Sequence, residues 1–155
     1  MASWSEVENE VPELVARARG FFDANRHKTL ATLRRDGSPR ISGTEVDFAD
    51  GELWFGSMWW AVKALDLRRD PRFALHSASA DPEEGWEGDA KLAGMVEEVE
   101  DESVKDARGG GAGGRPYHLF RADVTELVVV SLNESRDRLV IESWHAGRGY
   151  RRRER

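Results

Sequence analysis

The sequence contains no cysteine. That absence removes disulfides, thiolate metal sites and thiol nucleophiles together, so any redox chemistry has to come from a borrowed cofactor. Long apolar runs are missing too. No stretch approaches the roughly 20 consecutive apolar residues of a membrane-spanning helix, and Met1 to Pro12 is acidic with no apolar signal segment. We therefore expect a cytoplasmic chain without a membrane partner. Nor is there a basic surplus: the formal net charge is -6 and the pI about 5.3, which argues against nucleic-acid binding, where a basic face neutralises phosphates. His27, His76, His118 and His145 are scattered and show no HxxxH or HExxH spacing, so no metal site is expected. No Ser-His-Asp arrangement can be argued from spacing either.

With 155 residues the chain can bury one sizeable core, while two domains would each be marginal. We expect a single domain over 1–155, with an N-terminal helix in 1–26, a barrel in 27–146 and a basic tail in 147–155. Apolar residues at spacings of three and four from Val7 to Phe22 predict an amphipathic helix over Ser5 to Asn25, capped by Ser5 with Glu8 as its capping-box partner. Lys28 to Arg34 is rich in threonine and leucine and stops at Asp36-Gly-Ser-Pro39, a strand followed by a tight turn. Arg40 to Phe48 and Glu52 to Ser57 extend this into a meander of three short strands.

Trp60 to Arg69 predicts a short helix that Asp70-Pro71 ends, and Phe73 to His76 resumes strand. Ser77 to Asp89, with Pro82, Gly85 and Gly88, reads as a loop across one end of the barrel. Ala90 to Val99 alternates as a strand, and Glu100 to Asp106 allows a short helix. Gly109 to Gly114 formally matches GxGxxG, but no strand feeds it and Arg115-Pro116 stands where a helix should start, so it reads as a flexible connector. Tyr117 to Leu132 reads as a long or bulged strand, Asn133 to Asp137 as a turn, and Arg138 to Trp144 as the final strand. The class is mainly β (α+β): a six- to seven-stranded antiparallel split β-barrel with short flanking helices. The five arginines and one glutamate of Arg148 to Arg155 leave a net -10 on the rest of the chain. This run reads as a solvated tail, or as guanidinium groups set against a bound anion or a partner's acidic surface.

The ungapped stretch Leu53-Trp-Phe-Gly-Ser-Met-Trp-Trp-Ala-Val-Lys63 through Leu67-Arg-Arg-Asp-Pro71 to Leu75 resembles the signature of the pyridoxamine 5'-phosphate oxidase-like, FMN-binding split-barrel family. Ala31 to Arg40 is similar to that family's first hairpin, and Gly88 to Gly94 to its fifth strand. The resemblance spans roughly residues 20 to 145 and names a superfamily, not a reaction. It implies a homodimer holding FMN, with Arg40, Ile41, Ser42, Gly43 and Thr44 along the pyrimidine edge. Phe55, Gly56, Ser57 and Met58 would line the ring and ribityl chain, and Lys63 would meet the phosphate. The residues agree in part, because Gly56 permits close approach, Ser57 offers a hydroxyl and Lys63 is a cation near a helix start.

Members that bind FMN tightly often place serine and arginine immediately before this lysine. Ala61 and Val62 stand there instead, which opens the alternative of the deazaflavin factor 420, whose phosphodiester carries less charge at that point. The reaction implied is hydride transfer to or from a small-molecule substrate; the alternative is a non-catalytic carrier of a flavin or haem-type ligand. Trp144-His-Ala-Gly-Arg148 resembles the substrate-binding end of pyridoxamine 5'-phosphate oxidase only loosely. Adjacent Trp59 and Trp60 cannot both face one core, so they pack at a dimer interface or wall the cofactor cleft. Trp86 is an anchor of its loop or a lid over the ring, and Trp144 a structural residue or part of the site.

Overall fold

The computed structural model describes residues 1–81, 85–109 and 111–155. Pro82 of the predicted loop and Gly110 of the glycine-rich connector lie outside the described residues. The N-terminal segment forms two helices, α1 (Trp4–Glu10) and α2 (Pro12–Asp23), in place of the single one expected. Proline suits the first turn of a helix, where its missing N–H costs nothing, and so it starts α2 and ends the helix before it. The cap also lies two residues earlier than expected. Ser3 Oγ accepts from the Glu6 N–H while the Glu6 carboxylate accepts from the Ser3 N–H at 2.7 Å. Both Ser3 and Ser5 have a glutamate three residues on; burial of Trp4 selects the earlier start.

Among the described residues nine strands share one antiparallel sheet: β1 (Lys28–Leu33), β2 (Pro39–Thr44), β3 (Asp47–Ala49), β4 (Glu52–Met58), β5 (Arg72–His76), β6 (Asp89–Glu98), β7 (Tyr117–Leu132), β8 (Leu139–His145) and β9 (Gly149–Glu154). Helix α3 (Val62–Arg69) joins β4 to β5, and α4 (Glu102–Ala107) with a 3-10 turn at Ala112–Gly114 joins β6 to β7. The count exceeds seven for two reasons. Arg40 to Phe48 is interrupted at Glu45-Val46 and becomes two strands with different partners. The basic run expected as a tail is instead β9, in register with β8 from His145↔Gly149 to Val140↔Glu154.

The path runs β2-β1-β5-β6-β7-β4-β3, and the 16-residue β7 is its hub. Its first half pairs with β4 and its second half with β8 along one side, while β6 follows the other side. A bulge shifts the register between Ala93 and Gly94 and bends the ladder. There a Cβ on Gly94 would lie 1.9 Å from the Asp123 carbonyl oxygen, so only glycine fits. Inward residues of the curled sheet, among them Leu30, Leu53, Phe55, Leu75, Leu92, Phe120 and Trp144, meet Leu14, Val15, Ala18 and Phe22 of α2 in one core. The ends of the path, β2 and β3, form no ladder with each other among the described residues, and the barrel is split. No helix among the described residues is long and apolar enough to cross a membrane.

Candidate functional site

The ends of β2 and β4 border a cleft of about 1070 Å³ on the unpaired side of the barrel. Gly43 and Thr44 come from β2, Gly56, Ser57 and Met58 from β4, and Lys63 from the first turn of α3. Lys63 Nζ donates to the Gly43 carbonyl at 2.6 Å, tying helix to strand while leaving further ammonium hydrogens for a ligand. Burial pushes its pKa down, and the Glu45 carboxylate acts in the opposite sense. Ala61 gives α3 no side-chain cap; the Ala64 N–H donates to the Ala61 carbonyl at 2.9 Å, and the Val62 and Lys63 N–H groups keep their capacity for an anion. Ser57 is 8% exposed, lines the cleft, and its Oγ has no hydrogen-bond partner. A buried hydroxyl without a partner is costly, and a ligand's acceptor or donor would relieve it.

The structure therefore brings together six of the twelve residues expected at the site: Gly43, Thr44, Gly56, Ser57, Met58 and Lys63. The side chains of the others are elsewhere. Arg40 is committed to Asp66, with Nε 2.6 Å from Oδ2. Ile41 is 74% exposed on the other face of β2 from Arg40 and Ser42, and Ser42 is not among the lining residues. Phe55 is buried in the core between Phe73 and Phe120, with ring centroids 5.4 and 5.9 Å away. Trp144 is 1% exposed, on the inward face of β8 with Val140 and Glu142. Trp86 offers its carbonyl to Arg136 at 3.2 Å, beside the far end of β7 from Tyr117.

Sequence reasoning missed His27, Glu45, Gly111, Arg115, Pro116 and Tyr117, which also line the cleft. It also missed what holds the cleft's aromatic wall. Buried His118 presents Nδ1 to Glu98 at 2.6 Å, and Arg68 meets the same carboxylate at 2.9 Å. Its Nε2 accepts the Trp60 N–H at 3.2 Å, which fixes the imidazole as the tautomer protonated on Nδ1. Trp60 sits at a φ of 60°, an unfavourable region for a bulky side chain, and this hydrogen bond helps hold it there. Trp59 stacks on the same imidazole, with centroids 4.6 Å apart and planes 15° apart. The inward alternation of His118 with Phe120, Ala122 and Val124 was the available signal, since a histidine on an apolar face needs partners. No group of three or more metal-ligating side chains occurs among the described residues.

No protein-family model and no curated protein sequence matches the chain. Solved structures do match its fold. A protein from Listeria innocua, described provisionally as a pyridoxamine 5'-phosphate oxidase, superposes with a TM-score of 0.61 at 17% identity, over 76% of this chain and 98% of that one. A haem-binding protein from Mycobacterium smegmatis gives 0.65 at 20% identity, over 86% of this chain but 58% of that longer one. A factor 420 reductase gives 0.54 at 19% identity, over 70% and 94%. The chain has the split-barrel fold of the pyridoxamine 5'-phosphate oxidase-like proteins. That fold serves proteins whose names point to different ligands, so function has to be argued from the cleft itself.

Proposed function

We propose that the cleft beside Lys63 holds FMN and that the protein is an oxidoreductase acting on a small molecule. One juxtaposition carries the reading: a partly buried ammonium, an uncapped helix start and a partnerless buried hydroxyl border a single concavity large enough for a ring system. The residues fit the group. Lys63 and the first turn of α3 would take the phosphate, Ser57 would meet a polar atom of the ribityl chain or ring, and Gly43 and Gly56 leave space for close approach. Bound there, the flavin supplies hydride acceptance and donation. The chain's own part is to orient it, with Met58 and Trp59 forming an apolar wall that limits water.

The second reading is the deazaflavin factor 420. It is favoured by Ala61 and Val62, which offer neither hydroxyl nor charge beside Lys63. A carrier of haem-type ligand is the third, and His27 at the cleft rim supplies the imidazole such a ligand takes. We further propose that a second copy of the chain covers this side. Ile41, Met58, Trp59, Trp60 and Val62 are all large, apolar and exposed near the cleft, Met58 at 80%. The lack of cysteine suits the reducing cytoplasm.

Thermal unfolding in the presence of FMN, factor 420 or haem separates the readings. A ligand at 100 times its Kd stabilises the folded state by ~2.7 kcal/mol, or about 5–10 °C for a chain of this length. FMN should give that shift, and Lys63→Ala should abolish most of it. A shift with factor 420 alone would move the assignment to the deazaflavin, and one with haem alone would favour the carrier. No shift with any of the three would overturn the proposal.

A further inference from the structure

The C-terminal ribbon carries a charge pattern that the cofactor cleft does not use. Strand β9 pairs with β8 on one side, and no strand among the described residues pairs with its other edge. Alternation places Arg151, Arg153 and Arg155 on the face shared with Ile141 and Ser143, and with Arg148 they border a shallow cavity of about 500 Å³. The two faces of β9 differ sharply in charge balance. On the opposite face Arg152 pairs with Glu154 at 2.7 Å and the Tyr150 hydroxyl donates to Glu142 at 2.5 Å. On the cavity face, none of Arg151, Arg153 and Arg155 has a carboxylate partner among the described residues, and Arg148 reaches only the His145 imidazole at 2.8 Å.

Alternate residues of a strand repeat at about 7 Å, inside the Debye length of ~8 Å at physiological salt, so the three guanidinium groups repel one another. Countercharges at the same spacing would relieve that repulsion. An extended peptide repeats its side chains at that same interval, and the free edge of β9 offers the N–H and C=O groups needed to align one.

We propose that the cavity face and free edge of β9 form a docking site for an extended acidic peptide, carrying carboxylates on alternate residues, that adds to the sheet beside this strand. Its carboxylates would meet Arg151, Arg153 and Arg155 as cross-strand neighbours, in geometry that suits bidentate pairing. A second copy of the chain is a poor occupant of this edge, because pairing β9 with itself sets one row of arginines against another. Single-stranded nucleic acid fits less well too. Among the described residues no tryptophan, tyrosine or phenylalanine lines the cavity to stack a base, its one imidazole, His145, is engaged by Arg148, and the remainder of the chain carries -10.

Fluorescence anisotropy at low salt tests the proposal, using a labelled octapeptide of alternating glutamate and threonine. Saturable binding is expected, weakened at least tenfold in the triple variant Arg151→Glu, Arg153→Glu, Arg155→Glu and within twofold of wild type in Arg152→Glu on the other face. A peptide with its four glutamates in one block should bind several-fold more weakly. Circular dichroism checks that each variant is folded, and the triple glutamine variant replaces the charge reversal if that one is not. Absence of saturable binding would overturn the site, as would equal loss in Arg152→Glu, equal affinity for the block peptide, or tighter binding of a single-stranded oligonucleotide of matched charge.

Discussion

Replacing Asp66 with asparagine should loosen the helix that presents Lys63 to the cleft. The Asp66 side chain is 3% exposed and accepts hydrogen bonds from Thr32 on β1 at 2.9 Å, Arg40 on β2 at 2.6 Å and Arg69 at 2.9 Å. It thus ties α3 to two strands at once. Hydrogen bonds to a charged group contribute about 1.5–3 kcal/mol each. Arg40 and Arg69 are 25% and 35% exposed and regain water when the charge goes, which returns part of that sum. We expect a loss of about 3 kcal/mol, the lower end for breaking a buried pair, or roughly 6–12 °C in the unfolding midpoint. Burial pushes the Asp66 pKa up, but the hydrogen bonds from Arg40, Arg69 and Thr32 outweigh it and hold the carboxyl below its ordinary value. A carboxylate depressed in the folded state contributes stability that is fully present above its unfolded pKa of ~3.9 and is lost as pH falls through the folded value. Urea unfolding of both proteins should therefore show a gap at pH 7 that narrows below about pH 4. A loss under about 1 kcal/mol at pH 7, or a gap that does not change on acidification, would refute the clamp.

Ser57→Ala should leave the ligand-free protein as stable as before, or up to about 1 kcal/mol more stable, because it deletes a buried hydroxyl with no partner; it should also weaken the cofactor several-fold, and clear destabilisation without ligand would contradict this. His118→Phe removes both the acceptor for the Trp60 N–H and one of the two partners of Glu98, leaving Arg68. It should cost about 2–3 kcal/mol in urea unfolding and change the tryptophan emission, since Trp59 stacks on that ring; unchanged emission would mean that His118 does not hold the wall. Gly94→Ala forces a Cβ against the Asp123 carbonyl and should destabilise at the upper end of ~1–3 kcal/mol, with near-neutral unfolding as the contrary result.

Elements with a strong pattern of their own were legible in the sequence. Tyr117 to Leu132 has the predicted bounds because its alternation runs unbroken to an apolar stretch, and α3 ends at Asp70-Pro71 as proline requires. Strand β9 has no apolar alternation at all. An edge strand held by backbone hydrogen bonds to one neighbour need bury no side chain, so Tyr150-Arg-Arg-Arg-Glu154 looked like a solvated run. At the site, the residues close to Lys63 in sequence line one cleft with it, because one strand-helix connection carries them. The Arg40 side chain turns instead to Asp66, which lies 26 residues away, and no local spacing announces the pair. Phe55 and Trp144 turned inward for a common reason: on a strand with one buried face, alternation decides which side chain faces the core.

A redox ligand bound beside Lys63 is the function proposed for the cleft. Titrating the purified protein into FMN while following flavin emission tests this most directly. The expected result is saturable quenching at one flavin per chain, with affinity reduced at least tenfold by Lys63→Ala. A flat titration, repeated with factor 420 and with haem, would contradict it.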